Sequence, residues 1–451
     1  LVGAAPAGVT GISIDSRTLA PGEAFFAIVG DRFDGHGFAA AALESGAALA
    51  VVAADRVGEI AARPLVVVDD PFQALERLGV AARARATGKV IAVTGSVGKT
   101  STKEMLKLAL SQSGETHVSA ASFNNHWGVP LSLARMPANA AFAVLEIGMN
   151  HTGEITPLVA MVRPHVAVIT TVEPVHLEHF SGIEEIADAK AEIFTGLVPG
   201  GVAILNADNP LLDRLLERAG EAGVERIVRF GRAETADARM LKFAPSDTCS
   251  CISADILGSD VAYKIGAPGM HLAMNSLAVL AACQLAGADL AKAALGLADF
   301  SAQKGRGERL QLVMRDGEIT VIDESYNANP ASMRAAIELL AVARTGRGGR
   351  RIAVLGDMLE LGEDSEKLHR ELAGPLETAT ADRIYLAGPM MKALWDVLPP
   401  HRRGAYSKRS AGLESILPGE LVPGDVVMIK GSFGSRMGIL VDALKARYGS
   451  A

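Results

Sequence analysis

The sequence predicts an α/β protein of three units: a small N-terminal α/β unit, a central parallel-sheet unit built on a P-loop, and a C-terminal Rossmann-like unit. Three observations carry this expectation. A length of 451 residues is more than one core can serve, because single cores stop growing beyond roughly 250–300 residues. Short apolar, β-branched runs alternate with longer helical stretches, the pattern of parallel strands covered on both faces. A Gly-rich segment ending in Gly-Lys-Thr stands between one such run and the helix after it.

The expected units are residues 1–82, 83–309 and 310–451. In the first, residues 12–14 and 24–28 read as short strands separated by the Pro21-Gly22 turn. An Ala-rich amphipathic stretch (38–46) leads into the apolar run 48–54, and a strand at 65–68 precedes a helix reaching about Thr87. In the second, strands are expected at 90–93, 143–147, 166–170, 202–205 and 227–230, with a helix over 100–113. Residues 251–264 read as an added β-ribbon and 270–287 as a helix. In the third, strands at 320–322, 352–355, 384–386 and 426–429 end at Asp323, Gly356-Asp357, Gly388 and Lys430-Gly431. Ligands of open α/β sheets sit outside the carboxyl ends of strands, so these loops are expected to line a cleft.

Composition excludes several classes. Lys+Arg 44 against Asp+Glu 51 gives a net charge of −7, which argues against a protein that works by neutralising nucleic-acid phosphates. Hydrophobic residues at 49% and charged residues at 21% are those of a globular chain and exclude disorder. Aromatics are only 4%, so the cores must be aliphatic and closely packed. Cys249, Cys251 and Cys283 are too few to staple such a chain, which suits a reducing compartment. The sequence starts at Leu1 and contains no secretory leader pattern and no apolar run long enough to span a bilayer. A cytoplasmic monomer with no membrane insertion is expected. The Arg/Gly stretch 344–351 is short and isolated in an acidic chain, and reads as a solvated loop.

The strongest local signal is Thr94-Gly95-Ser96-Val97-Gly98-Lys99-Thr100, followed by Ser101 in the predicted helix. Glycines let backbone N–H groups approach phosphate oxygens, and the helix N-terminus adds partial positive charge. Lys99 can reach the β- and γ-phosphates, and the Thr100 hydroxyl is placed for Mg²⁺. A strict P-loop has glycine five residues before Gly98; here that residue is Val93, so the strand runs into a shortened loop. Nucleoside triphosphate binding follows.

This shortened form resembles the Mur ligase and folylpolyglutamate synthase superfamily. Ser122-Phe123-Asn124-Asn125-His126-Trp127-Gly128-Val129-Pro130, Glu146-Ile147-Gly148-Met149-Asn150, His176-Leu177-Glu178-His179-Phe180 and Ala189-Lys190-Ala191-Glu192 follow in the order expected for it. So do Asp323-Glu324-Ser325-Tyr326-Asn327-Ala328-Asn329-Pro330 and Leu355-Gly356-Asp357-Met358-Leu359-Glu360-Leu361-Gly362. The Ser-Tyr-Asn-Ala-Asn-Pro segment is similar to the branch whose substrates are UDP-N-acetylmuramoyl-tripeptide and D-alanyl-D-alanine. The implied reaction is ATP-driven amide formation through an acyl phosphate. Two anions, the γ-phosphate and a carboxylate, must meet, so the site needs cations and positioning.

The resemblance implies ATP, two Mg²⁺ ions, and a catalytic set of Lys99, Glu146, His176 and Lys190. Thr100 and Glu146 would serve the first metal, His176 and Lys190 the second, with Lys190 carbamylated by CO₂ into an oxygen ligand. From sequence alone Glu146 could be a surface carboxylate, Lys190 an exposed helix lysine and His176 a packed histidine. His176 and His179 lie three apart, but nothing else supplies tetrahedral zinc ligands. Asn275 is implied at adenine, Arg306 and Asp323 at the γ-phosphate and ribose, and Asn327 and Asn329 in the same loop. Asp15-Ser16-Arg17 and Asp31-Arg32-Phe33-Asp34-Gly35-His36 match UDP-recognition segments, although they also read as ordinary turns. Asn124 and Asn125 are implied in the substrate loop, and Lys430, Ser432 and Arg436, after the last strand, could bind the dipeptide's carboxylate. One departure is Ala121-Ser122, where the commoner form has Gly-Asn; contacts of that pair are not carried over.

Rival readings are another Mur-type or folylpolyglutamate ligase and, in a different class, a nucleotide-binding regulatory P-loop protein. The Asp-Asn-Pro-Arg motif of the diaminopimelate-adding ligase is absent from the sequence. A guanine switch would carry Asn-Lys-x-Asp, whereas the nearest stretch, Asn206-Ala207-Asp208-Asn209, lacks the lysine.

Overall fold

Continuous apolar runs such as Val90-Ile91-Ala92-Val93 can be buried on both faces only in a sheet with helices on either side. The computed structural model describes residues 1–30, 33–120, 123–175 and 177–449, and among them the strands assemble into three sheets. Asp31, Arg32, Ala121, Ser122 and His176 lie outside the described residues.

The first sheet is parallel and in chain order: β1 (Gly11–Ser13), β2 (Glu23–Phe26), β3 (Leu49–Ala53) and β4 (Leu65–Val68). The helix Pro71–Arg85 follows. It is started by Asp70, whose side chain accepts the N–H groups of Phe72 and Gln73, with Pro71 in the first turn. This helix runs across the 82/83 boundary, and its Leu75 packs with Phe26 and Val51 of the first sheet and Leu131 of the helix Gly128–Ala134.

The second sheet contains β5 (Lys89–Thr94), β6 (Thr116–Val118), β7 (Phe142–Glu146), β8 (Val166–Ile169), β9 (Val202–Asn206), β10 (Arg226–Gly231), β11 (Ala238–Pro245), β12 (Ser250–Ile256) and β13 (Ser259–Ile265). Their order is β13-β12-β11-β10-β9-β8-β5-β7-β6, parallel up to β11 and antiparallel in the ribbon beyond it. Ile91 and Val93 enter one core while Val90 and Ala92 enter the core on the opposite face, which is why β5 has no polar alternation. The expected ribbon is β12–β13. The sequence reading missed β6, which has three residues, and β11, where a register shift between Met240 and Lys242 breaks the period of two.

The third sheet has β14 (Glu308–Met314), β15 (Gly317–Glu324), β16 (Arg351–Gly356), β17 (Arg383–Ala387), β18 (Arg403–Ser407) and β19 (Val426–Lys430), in the order β14-β15-β19-β16-β17-β18. All neighbours are parallel except the hairpin β14–β15. β14 begins at Glu308, two residues before the expected start of this unit, and β18 is a polar edge strand without an apolar run to reveal it. The stretch 344–351 is only partly a solvated loop. Arg350 donates to the fully buried carboxylate of Asp425 at 2.7 Å, and Arg344 pairs with Asp247 at 3.1 Å. Among the described residues, no helix is long and apolar enough to cross a membrane.

A buried arginine joins the first two sheets' helices. Arg83 donates from Nε to the carbonyl of Val162 and from Nη2 to that of Arg163, both at 2.7 Å, at the end of the helix Ile155–Val162. Arg83→Met would leave both carbonyls without that partner at a loss of about 1–3 kcal/mol each. Urea unfolding is expected to show a stability loss of about 2–4 kcal/mol; an unchanged midpoint would contradict this anchoring role.

Candidate active site

The P-loop sits at the carboxyl end of the central strand β5 and opens the helix Lys99–Ser111. Gly98 takes φ +88, and a Cβ there would come within 2.4 Å of Asn275 Nδ2, so only glycine lets the loop pass that close. No side chain caps the helix, so its first N–H groups remain available to an anion. Ser96 fixes the loop on β8's side. Its N–H donates to the Thr171 carbonyl at 2.8 Å. Its Oγ donates to the Glu173 carbonyl at 3.0 Å and accepts the Glu173 N–H at 2.9 Å.

Beside this loop lies a cavity of about 630 Å³ between the carboxyl ends of the central strands and the third unit. The expected residues Ser96, Val97, Gly98, Lys99, Thr100, Ser101, Asn124, Asn125, Glu146, Asn275, Arg306, Asn327 and Lys430 all line it. They come from all along the second and third units, so the fold brings together what the sequence separates.

Charge in the cavity is arranged for an anion. Lys99 Nζ donates to the Gly95 carbonyl at 2.6 Å. Burial holds its ammonium below the ordinary lysine range; the Glu146 carboxylate opposes that shift and the Arg306 charge adds to it. Arg306 lies 4.3 Å from the centre of the Tyr326 ring. Glu146, at the end of β7, is buried. Its Oε1 accepts from Asn124 Nδ2 at 2.8 Å, while its Oε2 has no hydrogen-bond partner. A buried carboxylate oxygen left without a hydrogen-bond partner calls for a cation or a donor, and an oxygen-only set of Glu146 and Thr100 next to a phosphate loop suits Mg²⁺.

Lys190 is buried on the helix Ile183–Ala191, outside the cavity lining. Burial pushes its ammonium well below the ordinary lysine value, and the Lys99 charge pushes in the same direction. Glu192, at the end of this helix, reaches back to the start of the helix Ile155–Val162, accepting the N–H groups of Gly153, Ile155 and Thr156 at 2.6–3.1 Å.

Other expected residues have structural partners. Asp323 is buried and does not line the cavity: it accepts from the Gly305 N–H at 3.1 Å and from the Ser325 hydroxyl at 2.6 Å, holding the turn that carries Arg306. Ser432 bonds the Ala328 carbonyl at 3.2 Å and the Leu359 N–H at 3.0 Å, away from the lining. Lys430 does line the cavity, with Glu324 at 3.1 Å and the Asn327 carbonyl at 3.0 Å. Asn329 caps the helix Pro330–Val342 in a capping box with Ser332. Asn125 accepts the Gly128 N–H at 2.9 Å and so starts the next helix. Asp15 pairs with the exposed Arg17 at 2.7 Å, and neither they nor Ser16 reach this cavity. His36 is buried and accepts the Ala53 N–H at 3.0 Å, which ties the Asp34-Gly35-His36 turn to β3.

Of the third unit's four strand ends, only those of β15 and β19 reach the cavity. Asp357 instead accepts the Met391 N–H at 2.9 Å beside Gly388. His179 lies beside His151, ring centres 4.6 Å apart, and among the described residues no group of three or more His, Cys, Asp or Glu forms a metal cluster. The sequence reading missed Glu173, His271 and Met274 in the lining. Glu173's one available signal was its position just beyond the end of β8.

Three family models match the chain: "Mur ligase family, catalytic domain" over residues 8–96, "Mur ligase middle domain" over 93–283 and "Mur ligase, glutamate ligase domain" over 308–433. The UDP-N-acetylmuramoyl-tripeptide–D-alanyl-D-alanine ligase of Rickettsia prowazekii is 32% identical over 96% of this chain and 94% of its own. The enzyme of the same name from Escherichia coli is 35% identical over 85% and 82%. Among solved structures, MurF from Acinetobacter baumannii superposes with a TM-score of 0.82 at 30% identity, covering 97% of this chain and 94% of the other. MurF ligase from Thermotoga maritima in complex with ADP gives 0.77 at 25% identity, covering 97% and 98%.

Proposed function

The chain belongs to the Mur ligase family, and we propose that it joins D-alanyl-D-alanine to UDP-N-acetylmuramoyl-tripeptide with ATP, completing the pentapeptide precursor of peptidoglycan. The observation that carries this reading is an uncapped phosphate loop and a buried carboxylate with one unpaired oxygen in one cavity. It occurs on a chain aligned over 96% of its length with a ligase of that name.

In this reading the P-loop N–H groups and Lys99 hold the β- and γ-phosphates, and Arg306 meets the γ-phosphate from the turn that precedes β14. The tripeptide carboxylate approaches the same end of the cavity, where bound cations would screen its charge. Thr100 and Glu146 would hold one Mg²⁺; Lys190 as a carbamate, with His176, would hold the second. Bound Mg²⁺ would neutralise charge on the phosphate oxygens as the carboxylate attacks. Burial, and then the Lys99 charge, lower the Lys190 ammonium well below the ordinary lysine value, and the neutral amine is the form that reacts with CO₂, which supports the carbamate. Asn275 is assigned to the adenine side of the nucleotide, Asn327 to the loop beside it, and Asp323 acts by holding Gly305 and Arg306.

Asn124 fixes Glu146, and Asn125 sets the wall where the tripeptide enters. Asp15, Ser16 and Arg17 are assigned to the UDP moiety; Arg17 is exposed and would leave its ion pair with Asp15 to meet a pyrophosphate. Lys430 is assigned to the dipeptide carboxylate, with Ser432 holding the loop beside it. We further propose a cytosolic monomer, the state expected from the sequence.

The mechanism makes an isotopic prediction. The carboxylate oxygen that attacks the γ-phosphorus becomes the bridge of the acyl phosphate, and it leaves with inorganic phosphate when the dipeptide amine attacks the carbonyl. With ¹⁸O in the tripeptide's terminal carboxylate, one labelled oxygen is expected in each phosphate released. Unlabelled phosphate would overturn the acyl-phosphate route.

A further inference from the structure

The sheet order divides the cavity on either side of the P-loop strand. On β7's side lie Glu146 and Asn124, the carboxylate and amide assigned to the phosphoryl end. On the side of β8 and β9 lies a different surface. Met274 of the helix Met270–Leu285 and Ala331, Ala335 and Ala336 of the helix Pro330–Val342 supply apolar wall, and Glu173 supplies a carboxylate. A slot with apolar wall and a carboxylate acceptor suits a flat heteroaromatic ring carrying an amino group.

We propose that Glu173 is a specificity-determining residue that reads the base of the nucleotide, accepting a hydrogen bond from the exocyclic 6-amino group of adenine. The inference rests on the ATP reading of the cavity and extends it to the base.

Three observations support it. First, Glu173 is fixed relative to the phosphates: its backbone N–H and carbonyl are both bonded to the Ser96 hydroxyl within the P-loop, at 2.9 and 3.0 Å. Second, its carboxylate has little local employment. The hydrogen bond recorded to it is a long one, 3.4 Å from the Thr171 hydroxyl. By contrast, Asn206 beside it is already engaged, donating to the Thr170 carbonyl at 3.3 Å and accepting the Asp208 N–H at 2.9 Å. Third, burial raises the Glu173 carboxyl above the ordinary glutamate value, the Thr171 hydroxyl and the Arg334 charge opposing the rise. A partly desolvated acceptor of this kind gains from a donor supplied by a ligand.

The test compares ATP with purine riboside triphosphate, which has the same ring and phosphates but hydrogen at position 6. Dissociation constants are measured by calorimetry with Mg²⁺ and without either peptide substrate, so turnover does not enter. The wild-type protein is expected to favour ATP by about tenfold or more, the worth of one hydrogen bond to a charged acceptor. Glu173→Ala should bring the two nucleotides within about threefold, mainly by weakening ATP, and Glu173→Gln, which keeps an acceptor oxygen, should restore part of the preference. Equal binding of both nucleotides by the wild-type protein, or a preference that survives in Glu173→Ala, overturns the base contact while leaving the ligase reading intact. Failure of the wild-type protein to bind either nucleotide overturns both.

Discussion

Lys99→Ala is expected to lower kcat for ligation by about 10²–10³-fold or more, because it removes the one lysine held inside the phosphate loop. The same substitution should not lower the thermal midpoint. In the free protein Lys99 is a buried ammonium bonded to a carbonyl of its own loop, and burial already disfavours its charge. A cation kept in such a place contributes more to binding an anion than to holding the fold. Steady-state kinetics and thermal unfolding of one variant therefore separate the two roles. A kcat within threefold of wild type would remove the phosphate-loop assignment. A large fall in the midpoint would mean that Lys99 is structural.

The second large effect is expected at Lys190. Its ammonium is destabilised first by burial and then by Lys99, so the neutral amine is more populated at neutral pH than for an exposed lysine. A neutral amine adds to CO₂ and loses a proton, giving a carbamate that exchanges a cation for an anion next to Lys99. Lys190→Ala should lower kcat by about 10²-fold or more, the scale of removing one electrostatic group from such a site. With ¹³C-bicarbonate, the wild-type protein should show a carbamate resonance that Lys190→Ala lacks. Full activity in Lys190→Ala would contradict a catalytic role. An active wild-type protein without the resonance would contradict the carbamate alone.

What could be read from the sequence follows the range of the interactions concerned. The P-loop was legible because β5, the two glycines, Lys99 and the following helix are consecutive, and each local preference agrees with its neighbours. The parallel strands were legible because burial on both faces writes them as unbroken apolar runs. β11 and β18 were not: one is bulged between Met240 and Lys242, the other is a polar edge strand. Site residues far apart in sequence were found only by resemblance, since nothing local tells Asn275 or Arg306 that they will meet Lys99. Motif matching also cannot tell a ligand contact from a scaffold contact. Asp323 sits in a matching segment, yet its side chain bonds the chain itself, and Asn329 lines the cavity while also capping a helix. Glu173 shows the reverse case, an acidic residue just past a strand end whose place in the cavity depends on the Ser96 hydroxyl bonded to its backbone.

The most direct measurement is phosphate release from ATP and Mg²⁺, with UDP-N-acetylmuramoyl-tripeptide and D-alanyl-D-alanine added separately and together. The account predicts sustained release only with both substrates, one phosphate for each pentapeptide product. Release that either substrate supports alone, or that needs a folate or a shorter UDP-peptide instead, would contradict it.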